Sequence, residues 1–183
     1  HLEAYKRRPD VRSVVHAHPP TVVAASIAGI DLTQCLIPEV IVMLGLIPTT
    51  NYATPSSEEN VQAIQELISG HDAIILQRHG TLVVGSSPTD AFLKTETVDQ
   101  MARVSMMLEV LGKGNTLSPD QVGKLITQRQ NLGLSRAGDE GDFCEYCNVC
   151  HLPNQHIAPI ERPTITDQQI REITLRVLRD LGK

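Results

Sequence analysis

The sequence predicts an α/β fold, and three observations carry that expectation. Short runs rich in Val, Ile and Leu at 12–18, 72–77 and 81–85 have the length and composition of strands. Between and after them lie longer stretches opened by Ser–Pro or Pro–Pro and closed by Gly, the start and stop signals of helices. The second and third runs are joined only by the RHG turn at 78–80, which predicts an antiparallel hairpin.

Taken in order, residues 2–8 read as the end of a helix stopped before Pro9, and RSVVHAH (12–18) as a strand. Pro19 and Pro20 open a helix through TVVAASIAG that Gly29 closes. IPEVIVML (37–44) is too short to show a period and fits a buried strand or a turn of helix equally well. Ser56 with Glu59 three residues on predicts a capping box, followed by apolar positions 61, 64, 67 and 68 and a stop at Gly70. After the hairpin, Ser87–Pro88 start a long helix whose apolar content includes Ala91, Phe92, Val98, Met101, Ala102, Met106 and Leu108, ended by Gly112. SPDQVGKLITQRQ (118–130) repeats the Ser-cap, Pro-first opening.

After Leu134 the composition turns polar and glycine-containing, then cysteine-rich, then proline-rich, so 135–164 reads as a linker between a domain at 1–134 and a C-terminal helix at 165–183. That helix has Thr166 as its cap and Ile170, Ile173, Val177, Leu178 and Leu181 on one stripe. The net charge of −5 and the absence of a basic run argue against nucleic acid as a partner. No apolar run reaches the ~20 residues of a membrane span, and the polar opening HLEAYKRRPD is not a secretory signal. A first residue that is His rather than Met, placed in an amphipathic segment, reads as the start of a fragment.

The histidines carry the chemistry. In a strand, residues i and i+2 share a face, so His16 and His18 project together. His79 in the hairpin turn is the natural third donor, and three imidazoles with an open position suit a catalytic zinc ion. By spacing alone, this metal reading and a packing role for the imidazoles both stand.

The order AYKRRPDVRSVVHAHPPTVVAAS, then IPE and Tyr52, then AIILQRHGTLVVGSSPTDAF resembles the class II aldolase/adducin family over residues 1–112. The resemblance implies an α-β-α layered fold with a central, mostly antiparallel sheet and its N-terminal portion absent. It implies one zinc ion per subunit, held by His16, His18 and His79, in a cytoplasmic homotetramer. It implies cleavage of a deoxy-ketose 1-phosphate, such as fuculose 1-phosphate, to dihydroxyacetone phosphate and lactaldehyde, with zinc stabilising the enediolate. Epimerases, dehydratases and non-catalytic adducins share the fold, so the reaction stays open. The family's general-base Glu falls upstream of residue 1, as do its phosphate-binding loops, and no Tyr stands near IPEVIVM as proton donor. The fragment alone is therefore expected to be inactive. Ser56-Ser57-Glu58 imitates the base motif but starts a helix instead.

Cys144, Cys147 and Cys150 form a C-x2-C-x2-C run with His151 adjacent, a spacing that suits a second metal or an iron–sulfur cluster if a fourth ligand is found. Cysteines so close compete to pair with one another, so reduced thiols are expected, with Cys35 alone. The C-terminal helix resembles the encapsulation peptides of bacterial microcompartment cargo, which implies a shell protein as partner.

Overall fold

The computed structural model describes residues 1–136 and 138–149, with the single positions 168, 171 and 179 beyond them. The order is α1 (Leu2–Arg7), β1 (Ser13–Ala17), α2 (Pro20–Ala28), α3 (Pro38–Met43), α4 (Glu58–Ile68), β2 (Ala73–Leu76), β3 (Gly80–Gly85), α5 (Pro88–Leu111), α6 (Pro119–Asn131) and α7 (Asp139–Cys147). The three strands form an antiparallel sheet in the order β1-β3-β2, with His16 opposite Leu82 and Ala17 opposite Thr81.

Strand alternation divides the core between two faces. Ala73, Ile75 and Val83 pack against Val22 and Ala25 of α2, Val40 of α3, and Val98, Met101 and Ala102 of α5. Ile74, Leu76, Leu82 and Val84 pack against Ala4 of α1 and Ile64 and Ile68 of α4. Helices therefore cover the sheet on both sides, in the expected α-β-α layering. Burial on both faces also explains why β2 and β3 are continuous apolar runs rather than alternating ones.

Several local readings are refined. The 37–44 segment is helical: Pro38 occupies the first turn, where its missing N–H costs nothing, and Gly45 at φ 79° stops the helix. The α4 cap is Ser57, whose hydroxyl accepts from the Asn60 N–H, one residue later than expected; Ser56 sits instead at φ 64°. The capping box expected at Ser56 and Glu59 does not form; one occurs instead in α6, where Ser118 and Gln121 satisfy each other's backbone N–H. Phe92, counted with the apolar content of α5, is exposed.

The largest departure is in the expected linker. Residues 139–147 form α7, whose Phe143 is fully buried with Ile41, Leu46 and Val122. The Arg129 guanidinium, 1% exposed, donates to Asp139 at 2.7 Å and to the Val42 carbonyl at 2.9 Å. Cys35, expected alone, is disulfide-bonded to Cys147, and Cys144 is also disulfide-bonded, so the thiols expected to be reduced are paired. Cys150, His151, the Pro-rich stretch and the C-terminal helix lie outside the described residues, apart from Gln168, Arg171 and Arg179, which are helical.

Candidate metal centre

Three elements deliver the three histidines. His16 lies on β1 facing the α1 and α4 side, the face that also holds Val14. His18 follows β1 by one residue, and His79 sits in the turn between β2 and β3. That turn is tightly specified. Arg78 takes φ 61°, its N–H donates to the Ser26 hydroxyl at 3.0 Å, and the His79 N–H donates to the Leu76 carbonyl at 3.0 Å. Next to it, Gly80 is required by close approach: a Cβ there would collide with the Ala17 carbonyl oxygen and sit 2.7 Å from His18 Cδ2.

The expected donors come together. One ligand atom from each of His16, His18 and His79 lies within 4.8 Å of the others. The His16 ring lies 4.6 Å from His18 and 4.8 Å from His79 between centroids, and the His18 and His79 rings stack at 4.8 Å. His16 Nδ1 stands 2.7 Å from the Thr81 carbonyl oxygen. A carbonyl only accepts, so Nδ1 carries the proton and Nε2 is left with its lone pair. That Nε2 is 2.9 Å from His18 Nε2.

The donor set fits a divalent ion of borderline softness. His79 Nδ1 is buried with no hydrogen-bond partner, a costly state that a ligand would relieve. Burial pushes the His16 pKa down, more than its hydrogen bond to Thr81 pushes it up, and the neighbouring His18 and His79 add to the depression. Burial, then His18, also pushes His79 down. Both rings are thereby held in the neutral form that metal ligation requires. Nitrogens sharing a tetrahedral zinc stand about 3.3 Å apart at the usual bond lengths; the His16 and His18 Nε2 atoms stand 2.9 Å apart, and all three donors lie within 4.8 Å of one another. No carboxylate joins the group among the described residues.

Sequence reasoning missed the parts that hold the donors. The Thr81 carbonyl and the Ser26 hydroxyl act through backbone register and a 52-residue separation, for which sequence offers no local signal. It also missed the buried charge cluster on Asp72, which 2% exposure isolates from water. Asp72 Oδ1 accepts from Arg8 at 2.8 Å and Arg136 at 3.0 Å; Oδ2 accepts from Lys94 at 3.0 Å and Arg136 at 2.9 Å. Of the second expected group, Cys144 and Cys147 share α7, with Cys147 disulfide-bonded to Cys35, while Cys150 and His151 lie outside the described residues.

Comparison with known proteins agrees with this picture. Residues 1–106 match the family described as Class II Aldolase and Adducin N-terminal domain. A 3,4-dihydroxyphthalate decarboxylase of Rhodococcus jostii is 32% identical over 126 residues, covering 64% of this chain and 49% of the relative. An L-fuculose phosphate aldolase of Methanococcus vannielii is 30% identical over 105 residues, covering 57% of this chain and 56% of the relative. The chain thus spans about half the length of the curated relatives it matches. Among solved structures, Escherichia coli YgbL, whose description leaves aldolase, epimerase and decarboxylase open, superposes with a TM-score of 0.61 at 26% identity, covering 68% of this chain and 62% of YgbL. With the three histidines all inside the matched residues, the chain belongs to the class II aldolase and adducin family.

Proposed function

We propose that the chain is part of a zinc-dependent carbon–carbon lyase acting on a small phosphorylated sugar, with aldol cleavage of a deoxy-ketose 1-phosphate of the fuculose type as the leading reaction. The observation that carries this reading is the convergence of His16, His18 and His79 within 4.8 Å. A zinc ion bound there supplies Lewis-acid stabilisation of negative charge developing on substrate oxygen. The chain's own contribution is to hold the donors. Thr81 fixes the His16 tautomer, the Ser26-anchored turn fixes His79, and Gly80 lets the turn close against β1.

Decarboxylation is the second reading, favoured by the 32% identical relative named for it. The two reactions share their central demand: a carbon–carbon bond breaks and leaves charge delocalised onto an oxygen beside a Lewis acid. Epimerase or dehydratase chemistry at the same donors is the weaker alternative. A non-catalytic adducin-like module has no physical reason to keep three imidazoles facing one another. The exposed Met107, Val110 and Leu111 on α5 border an apolar groove and support the homo-oligomeric part of the reading. No helix among the described residues is long and apolar enough to cross a membrane. The encapsulation role read from 165–183 belongs to this proposal on its sequence stripe alone.

The test titrates zinc and cobalt(II) into the oxidised chain, whose disulfide-bonded cysteines leave only nitrogen and oxygen donors. One equivalent is expected, with affinity falling on the order of a hundredfold in His16→Ala and His79→Ala. Equal binding by wild type and both variants overturns the metal reading. Assays for dihydroxyacetone phosphate from a ketose 1-phosphate, and for carbon dioxide from a 3-oxo acid phosphate, then separate the two reactions.

A further inference from the structure

Helix α5 is the longest described element, and it presents two different faces. Val98, Met101 and Ala102 point into the core. On the opposite side, positions 92, 96, 100, 103, 107 and 110 recur in steps of three and four and so form one outward stripe, which Leu93 and Leu111 flank. The stripe is apolar at both ends: Phe92, Leu93, Met107, Val110 and Leu111 are between 53% and 88% exposed. Its middle is polar, with Glu96 and Asp99 followed by Gln100 and Arg103. Arg103 Nε donates to Asp99 at 2.8 Å, and Asp99 also accepts the hydroxyl of Thr21, from the first turn of α2. An apolar groove runs along Met106, Met107, Val110 and Leu111, and a polar hollow lies along Glu96, Asp99 and Gln100; Arg103 borders both.

We propose that this face of α5 pairs with the same face of a second copy of the chain, antiparallel, about a two-fold axis between Asp99 and Gln100. A two-fold contact requires each half of a face to match the other half. Read along the stripe, the order is apolar, acidic, basic, apolar, and it matches itself when reversed. Phe92 of one copy then stands opposite Met107 of the other, at the apolar groove. Glu96 stands opposite Arg103, twice in each dimer. Across the axis Gln100 meets Asp99, and an amide donor there suits a carboxylate acceptor.

Charge decides the orientation. A parallel pairing would set Glu96 against Glu96 and Arg103 against Arg103, whereas the antiparallel one joins opposite signs at both places. The apolar ends supply the driving force, since five large side chains leave water on each copy. A single helix pair lies at the low end of stable interface sizes, so a dissociation constant on the order of micromolar is expected. The pairing rests on the homo-oligomeric part of the proposed function and not on its metal chemistry.

The test is sedimentation equilibrium of the whole chain over roughly 1–100 μM, where a monomer–dimer equilibrium is expected. Glu96→Arg and Arg103→Glu should each weaken association on the order of tenfold or more, because each sets like charges opposite one another in two places. Mixed in equal amounts, the two variants should associate about as tightly as wild type, since every facing pair at 96 and 103 is again of opposite sign. Met107→Asp should leave the chain monomeric over the same range. All three positions are exposed, so each variant should keep the wild-type circular-dichroism spectrum. A wild-type chain that stays monomeric, variants that associate as wild type does, or a mixture no tighter than its components each overturns the pairing. The two readings fail separately: a monomer that binds one zinc overturns the pairing alone, as does an oligomer indifferent to all three substitutions.

Discussion

Replacing Asp72 by Asn tests whether the buried charge cluster holds the fold together. The carboxylate receives Arg8, Lys94 and Arg136 at 2.8 to 3.0 Å. An Asn keeps one acceptor but turns the other into a donor facing Lys94 and Arg136, so both cations lose their charged contact with residue 72. Breaking a buried pair in this way costs about 3–5 kcal/mol. The lower end applies here, because Arg8 keeps Asp10, Lys94 keeps Asp90, and Arg136, with a side chain 26% exposed, can turn to water. A loss of ~3 kcal/mol lowers Tm by roughly 6–12 °C in a domain of this size. Urea denaturation and calorimetry at pH 7 measure it. The pH dependence gives a second readout. Burial pushes the Asp72 pKa up, but hydrogen bonds from Arg136 and Arg8 and the charge of Lys94 outweigh it and pull it well below the ordinary aspartate value of 3.8. Its contribution is thus complete above that value and disappears as pH falls through the folded-state pKa. Wild type and Asp72→Asn should therefore converge in acid. A variant within 1 kcal/mol of wild type at pH 7 would refute the assignment.

Three further outcomes are expected. Gly80→Ala forces a methyl group against the Ala17 carbonyl and His18, costing roughly 1–3 kcal/mol of stability; it should also weaken metal binding, and equal zinc titrations for variant and wild type count against the packing claim. Phe143→Ala opens a cavity under α7 and should cost about 3–5 kcal/mol, read by calorimetry; a neutral result would return 139–147 to the status of a linker. Without metal, stability should decline as pH drops below 6.5, because His16 and His79 have lowered pKa values in the fold and the unfolded chain takes up protons first. Denaturation between pH 5 and 8 in a chelator checks this, and saturating zinc should flatten the slope above the pH at which it dissociates.

What could be read in advance depended on how local the cause was. Strand parity alone places His16 and His18 together, and Ser–Pro openings locate the starts of α5 and α6, because these rules act within a few residues. The 37–44 segment was ambiguous since six helical residues cannot display a period. Helix α7 was illegible for a different reason. Its sequence DEGDFCEYC is polar and contains Gly, and what makes it helical is long-range: Arg129 on Asp139, His71 on Asp142, and Phe143 in the core. The partners of Asp72 lie 64, 22 and 64 residues away, and Cys35 is still further from Cys147. No sequence period links such residues.

The register of the sheet also sets an order of events. β2 and β3 are joined by three residues and can zip together within microseconds, while β1 reaches β3 only by closing a loop of more than sixty residues. His79 is thus in place early, whereas His16 and His18 join it only when the non-local pairing completes. A ribosome emitting this chain would release the first two imidazoles long before their partner exists. The donor triad is therefore a late product of folding, and its assembly marks the moment at which the sheet closes.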